Sequence, residues 1–259
     1  MIKAVLARIQ QKHRTMTYPD GAPPPLPDRF RGRPVFDLSA CPEGCRACFD
    51  ACPTGAIGPK EPGRIDLGKC LFCTECATAC PRHAVTYSAN YQLAARRRDD
   101  LVATRERPSV EVVGAALDAK LQRLFGRSLK LRQVSAGGCN ACEADTNVLG
   151  TIGWDLGRFG IQFVASPRHA DGILVTGPVS QNMALALKKT YDACSDPRIV
   201  IAVGACAVSG GPYIGRSEVC NGAAAQVPVD LYVPGCPPHP LTILDGLLRL
   251  IGRIEDGKR

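Results

Sequence analysis

Short runs rich in Val, Ile and Leu punctuate the second half of the chain at 129–134, 160–165, 172–175, 199–203 and 229–233, each ending in a glycine-rich turn. Stretches with helical spacing at about 140–156, 181–194 and 240–254 fill the gaps. Continuous β-branched runs alternating with helices predict a parallel sheet covered on both faces. The first half has another rhythm. Ile2, Val5, Leu6 and Ile9 recur at helical spacing among Lys3, Arg8, Lys12 and Arg14, which predicts a short basic amphipathic helix. Two readings fit it: a helix lying on an anionic membrane surface, or one packed on a neighbouring subunit. GAPPPLP (21–27) reads as a stiff, extended connector. Residues 91–128 read as a charged helical linker. Pro108-Ser109 marks a helix start, Val113, Leu117, Leu121 and Leu124 form an apolar stripe, and Gly126 a stop. No apolar stretch reaches the ~18 residues that a membrane span requires.

Between 31 and 90 the pattern is set by cysteine. Cys45, Cys48, Cys52-Pro53, Ala56 and Ile57 recur 28 residues later as Cys73, Cys76, Cys80-Pro81, Ala84 and Val85. Such duplication implies two related sites. The chain holds 14 cysteines. Its first residues mix charges with apolar positions and lack a cleavage site, so nothing reads as a secretory signal. In a reducing compartment clustered thiols point to metal rather than disulfides.

The strongest motif is Cys70-x2-Cys73-x2-Cys76-x3-Cys80-Pro81, with Cys41-x3-Cys45-x2-Cys48-x3-Cys52-Pro53 as its partner. Three closely spaced cysteines wrap one [4Fe–4S] cubane, while the fourth of each run reaches the other cluster. The expected ligand sets are therefore Cys41, Cys45, Cys48 and Cys80, and Cys70, Cys73, Cys76 and Cys52. Zinc ribbons use paired C-x2-C knuckles and need neither the tight triplet nor the following proline. The first motif has one residue more than usual before Cys45, and Gly44 is placed to absorb it.

Four further cysteines sit beside glycines in GGCNACEAD (137–145), VGACAVSGG (203–211) and VPGCPPHP (233–240). Loops at the carboxyl ends of parallel strands gather on one edge. Cys139, Cys142, Cys206 and Cys236 are thus expected to meet there around a third cubane. Cys194 and Cys220 lack this context and read as small buried apolar residues. Glu143 and Asp145, beside the C-x2-C pair, offer groups to tune a cluster or relay a proton, but solvated or helix-terminal charges are the preferred reading; His169 and His239 are weaker candidates still. TGPVS (176–180) lacks the glycines of a phosphate loop, and no catalytic triad or dinucleotide fingerprint follows a strand. No catalytic residue is expected.

The formal charge of +8 does not indicate nucleic acid. Thiolate-held clusters are anionic, and Arg96-Arg97-Arg98 runs straight into Asp99-Asp100, as on a solvated helix face. With aromatics at 5%, the core must come mainly from Val, Leu, Ile and Ala.

SAGGCNACEAD, GRFGIQFVASPRHADGILVTGPVS, GACAVSGG and VPGCPPHP together resemble the small subunit of membrane-associated [NiFe] hydrogenases of the formate hydrogenlyase type, cousins of the quinone-site cluster subunit of respiratory complex I. This likeness covers about 115–252. Residues 1–105, with the basic N-terminus and FRGRP (30–34), resemble the two-cluster ferredoxin subunit of the same complexes, here fused to it. The resemblance implies an α+β ferredoxin-like two-cluster domain (31–90) after an N-terminal helix and connector (1–30). The linker (91–128) then leads to an α/β flavodoxin-like domain (129–259). It further implies an electron-transfer subunit with three [4Fe–4S] clusters, partnered by a Ni–Fe large subunit and membrane-arm subunits, on the inner face of the cell membrane. The missing twin-arginine leader and cluster-rich C-terminal extension fit a cytoplasmic enzyme. Complex I subunits of this type begin their cluster motif with adjacent cysteines. Here Asn140-Ala141 separate Cys139 from Cys142, as in the hydrogenase branch. The alternative is a complex I-like oxidoreductase whose large subunit lacks Ni–Fe and serves quinone or ion pumping.

Overall fold

The computed structural model describes residues 2–12, 14–58, 63–104, 123–125 and 128–254. Helix α1 (Ile2–Gln11) is followed by β1 (Pro34–Phe36), α2 (Ala47–Asp50), β2 (Ile65–Asp66), α3 (Glu75–Thr78), β3 (Val85–Tyr87) and β4 (Val102–Ala103). The second half runs β5 (Leu129–Ser135), α4 (Ala141–Val148), β6 (Ile161–Phe163), β7 (Gly172–Thr176), α5 (Gln181–Asp192), β8 (Ile199–Val203), α6 (Ala205–Ser209), β9 (Leu231–Val233) and α7 (Pro240–Leu250).

Each apolar run of the second half forms a strand, and the five make one parallel sheet in the order β6-β5-β7-β8-β9. Every residue of β7 and β8 is buried, which explains why these runs are continuously apolar rather than alternating. Side chains still alternate between two cores. Leu131, Leu174, Ile201 and Val233 face the side covered by Leu244, Leu247 and Leu248 of α7. Val134, Ile173, Val175, Val200 and Ala202 face the other side, where Leu187 of α5 packs.

That second side also carries the cysteine-rich half. Ile57, Ile65, Leu67 and Leu101 belong to the same core as Val175 and Ala202. Leu67 and Leu101 are fully buried, each worth roughly 1.5–3 kcal/mol of transfer free energy. In the N-terminal half β1 pairs antiparallel with β3, and β2 with β4. The polypeptide ahead of β1 crosses to the opposite side of the sheet. There the Arg158 guanidinium donates to the carbonyls of Met16 and Tyr18, at 2.6 Å each. Helix α1 itself leaves Ile2, Val5, Leu6 and Ile9 exposed, at 77, 58, 52 and 66%. Among the described residues no helix is long and apolar enough to cross a membrane.

The helical reading of 91–128 does not hold over 91–104. Ala95 exchanges both backbone hydrogen bonds with Tyr232, at 2.9 and 2.8 Å, and so pairs the edge of β9. An exposed edge strand leaves a row of unmet donors and acceptors, and satisfying them outweighs the helix propensity of an Ala- and Arg-rich segment. A single 3-10 turn at Arg98–Leu101 leads into β4. Arg98 is no solvated charge: its guanidinium forks onto Asp66, with Nη1 to Oδ1 at 2.8 Å and Nη2 to Oδ2 at 2.7 Å. Pro108, Ser109, Val113, Leu117, Leu121 and Gly126 lie outside the described residues, and Leu124, in a helical stretch at 123–125, is half exposed. The helix expected over 140–156 ends at Val148, where a turn containing Gly150 and Gly153 intervenes.

Candidate metal centres

The cysteines of the duplicated half divide between two cavities, and the division crosses the two sequence runs. Cys41, Cys45, Cys48 and Cys80 line one cavity, together with Phe36, Leu38, Phe49 and Val85. Cys52, Cys70, Cys73 and Cys76 line the other, with Ile57, Ile65 and Tyr87. The local backbone explains the crossing. The first two cysteines of each triplet sit on a loop, and the third lies in a one-turn helix, α2 or α3, that carries the chain toward the fourth. The residue before the second cysteine is left-handed in both loops: Gly44 at φ 73° and Phe72 at φ 54°. Gly44 adopts this conformation without a steric penalty, and the Cys45 N–H closes a turn onto the Pro42 carbonyl at 3.1 Å. Phe72 is strained there, and its groups are tied down: its N–H donates to Cys70 Sγ at 3.3 Å and its carbonyl accepts from Arg31 at 3.1 Å.

The sulfurs themselves receive hydrogen bonds. The Ala56 N–H donates to Cys52 Sγ at 3.2 Å and, 28 residues later, the Ala84 N–H donates to Cys80 Sγ at 3.3 Å. The sequence repeat is therefore a repeat of sulfur solvation. Burial pushes Cys70 up to about 12, and raises Cys41, Cys48 and Cys76 as well. Cys80 is lowered, chiefly by the Arg82 N–H. Buried thiols with donors aimed at their sulfurs suit thiolates whose charge a metal neutralises, since a neutral thiol is only a weak acceptor.

The third set forms where the sheet ends. Cys139 and Cys142 follow β5 at the start of α4, Cys206 lies on α6 after β8, and Cys236 follows β9. Burial raises the pKa of Cys142, and Cys206, Cys236, Glu143 and Cys139 add repulsion; Cys206 is pushed to about 11 by burial, then by Cys236 and Cys139. Gly204 sits at φ 91°, and a Cβ there would lie 2.5 Å from Cys142 Sγ. Its glycine thus answers both a backbone and a contact requirement. Among the described residues no group of three or more His, Cys, Asp or Glu side chains is drawn together as around a metal ion. In the duplicated half the four-sulfur sets ring cavities instead, as a polynuclear cluster requires.

The sets adjoin one another. The Cys48 pKa, raised first by burial, is also raised by Cys76 of the second set. That of Cys236, raised by burial and by Cys139, is raised further by Cys73. A cavity lined by Arg31, Phe72, Asp145, Cys236 and His239 lies beside the third set.

Glu143 stands in the first turn of α4, as the helix-terminal reading expected. Glu143 is buried, not solvated: its Oε1 accepts from Ser135 at 2.6 Å and from Thr176 at 2.7 Å, and its pKa is lowered, with burial opposed by these two hydroxyls. Asp145 is half-buried, which raises its pKa. His239 caps α7, its Nδ1 accepting from the Leu241 N–H at 3.1 Å, while His169 is exposed. Cys194 is buried just after α5, its Sγ 3.5 Å from the Thr190 carbonyl, and Cys220 packs against the same core. The sequence reading missed Tyr87, whose Oη lies 3.4 Å from Cys76 Sγ. The alternation Val85-Thr86-Tyr87 gave the available signal, because it turns Tyr87 to the side of buried Val85.

Comparison with known proteins adds identity to this geometry. Residues 139–250 match the family described as NADH ubiquinone oxidoreductase, 20 kDa subunit, and residues 40–84 match a 4Fe-4S dicluster domain. A probable membrane-bound hydrogenase subunit of Pyrococcus furiosus is 41% identical over 137 residues, 52% of this chain and 81% of that protein. An NADH-quinone oxidoreductase subunit of Phocaeicola vulgatus is 41% identical over 132 residues, 51% of this chain and 66% of its own length. Formate hydrogenlyase subunit 7 of Escherichia coli is 40% identical over 141 residues; the chain spans only 55% of it, and the match takes 54% of this chain.

Proposed function

Because the chain belongs to the NADH ubiquinone oxidoreductase 20 kDa subunit family and carries a 4Fe-4S dicluster domain ahead of that region, we propose that it relays electrons through three [4Fe–4S] sites. The ligands are Cys41, Cys45, Cys48 and Cys80 for the first site, and Cys52, Cys70, Cys73 and Cys76 for the second. Cys139, Cys142, Cys206 and Cys236 hold the third. The two-cluster half has a ferredoxin-like organisation, and the parallel-sheet half is flavodoxin-like, its β6-β5-β7-β8-β9 order reversing direction between β5 and β7. One observation supports the reading: the first and second sulfur sets adjoin through Cys48 and Cys76, and the second and third through Cys73 and Cys236. Cubanes supply one-electron chemistry when bound. The chain's part is to hold them in sequence, bury them, and aim N–H groups and a hydroxyl at their sulfurs.

The third set lies at the open carboxyl edge of the sheet with Cys139 and Cys236 exposed, which suits delivery to a partner docked there. The hydrogenase relatives and the Cys139-x2-Cys142 spacing support a Ni–Fe large subunit as that partner, within a membrane-associated complex on the cytoplasmic face. The equal identity to the NADH-quinone oxidoreductase relative supports a second reading, a complex I-like assembly whose large subunit lacks Ni–Fe. Two C-x2-C pairs in the large subunit identify the first, and their absence the second. The relay role is tested on chain purified anaerobically without a large subunit. Reversible bleaching by a low-potential reductant with no hydrogen evolution or uptake is expected. Hydrogenase activity in such material overturns the relay assignment.

A further inference from the structure

The 28-residue repeat gives the two N-terminal sites an internal comparison, and among the described residues the second site differs by a hydroxyl as well as by the Phe72 N–H on Cys70 Sγ. Ala56 and Ala84 donate equivalent N–H bonds, to Cys52 at 3.2 Å and to Cys80 at 3.3 Å, so this contribution is common to both sites. Among the described residues no Ser, Thr or Tyr lines the first cavity, whereas Tyr87 lines the second. Its Oη lies 3.4 Å from Cys76 Sγ, and its ring lines the second cavity beside Cys52, Cys70 and Cys73. The position 28 residues earlier is Pro59, which has no hydroxyl. Thr54 Oγ1 is 4.0 Å from Cys52 Sγ, a ligand of this same second site, but gives its hydrogen to the Lys69 carbonyl at 2.8 Å, which leaves Tyr87 as the hydroxyl aimed at a sulfur there.

A sulfur bound to iron carries no proton, so in the Tyr87–Cys76 pair the hydroxyl must be the donor. A hydrogen bond donated to a ligating sulfur stabilises the more negative, reduced state more than the oxidised one, and so raises the potential. We infer that the Tyr87 hydroxyl sets the second N-terminal site at a higher potential than it would otherwise have, distinguishing it from its repeat partner. Tyr87 acts on the site through Cys76; it holds no iron. The strand geometry supports a dedicated placement, because β3 is fixed by its pairing with β1, where Tyr87 stands opposite Pro34.

The inference rests on the cluster reading above, and its test separates the two. Full-length Tyr87→Phe, loaded anaerobically, keeps the ring and removes the hydroxyl. Its reduced cluster signals are followed by spectroscopic redox titration against wild type. At the wild-type midpoint, the reduced-to-oxidised ratio of one signal should fall on the order of tenfold, about 59 mV for a one-electron couple. That signal should be the one missing from Cys52→Ala, with the other signals and the iron content unchanged. Placing 3,5-difluorotyrosine at position 87 makes a stronger donor and should move the same midpoint upward, which keeps the test open even where the phenylalanine variant loads poorly. An unmoved midpoint in a fully loaded Tyr87→Phe protein, or a common shift of every signal, overturns the role of Tyr87 alone. A wild-type chain without the signal lost in Cys52→Ala overturns the cluster reading and this inference with it.

Discussion

Tyr18 donates its hydroxyl hydrogen to Asp245 Oδ1 at 2.6 Å, although 227 positions separate the two residues. Asp245 is fully buried on α7, and Arg249 Nε donates to its other oxygen at 2.9 Å. Burial and the neighbouring carboxylate raise the Tyr18 pKa, so the phenol stays protonated and keeps donating. This bond seats the segment ahead of β1 on the side of the sheet opposite the cysteine-rich half. Tyr18→Phe leaves a buried carboxylate short of a donor, a loss of about 1–3 kcal/mol. Thermal or denaturant unfolding of the loaded protein should register that loss at unchanged iron content. A wild-type stability would mean that Arg249 satisfies Asp245 without help.

Much of the fold was legible because its cause is local. Parallel strands buried on both faces must be continuously apolar, so β7 and β8 stand out in the sequence with nearly their final bounds. The cysteine runs were legible because ligand spacing is chemistry written along the chain. What escaped depends on distant partners. Glu143 reads as a solvated or helix-terminal charge, and its burial shows only when Ser135 and Thr176, from the ends of β5 and β7, close on it. Arg98 reads as solvated until Asp66 meets it, and 91–95 reads as helix until β9 presents an edge to pair. The alternation of β3 turns Tyr87 to the side of Val85, but nothing in the sequence names Cys76 as its neighbour.

Gly204 is the position where the third site is most exposed to a single methyl group. Gly204→Ala must fit a Cβ 2.5 Å from Cys142 Sγ at a φ of 91°. The expected result is loss of about four irons per chain, with the two N-terminal sites retained. Full iron content would show that the loop after β8 yields without moving Cys142.

Helix α1 presents Ile2, Val5, Leu6 and Ile9 to solvent beside Lys3 and Arg8. Deleting residues 2–11 should weaken binding to anionic vesicles without changing iron content, and wild-type binding should fall as salt rises. Salt-insensitive binding, or none lost on deletion, would assign the helix to a neighbouring subunit.

The crossed division of cysteines makes a directional prediction. Cys52→Ala should damage the site of Cys70, Cys73 and Cys76, while Cys80→Ala should damage the site of Cys41, Cys45 and Cys48. Cluster spectra of the two variants check it. Loss confined in each case to the variant's own sequence run would make ligation local, against the cavities that the two sets line.

Iron and acid-labile sulfide per chain, measured on anaerobically purified full-length protein, test the central claim most directly. Three cubanes predict about twelve of each. A reproducible value near eight would remove one site, with the Cys41 set and its longer first loop the first to be questioned. Zinc in place of iron and sulfide would contradict the electron-transfer account altogether.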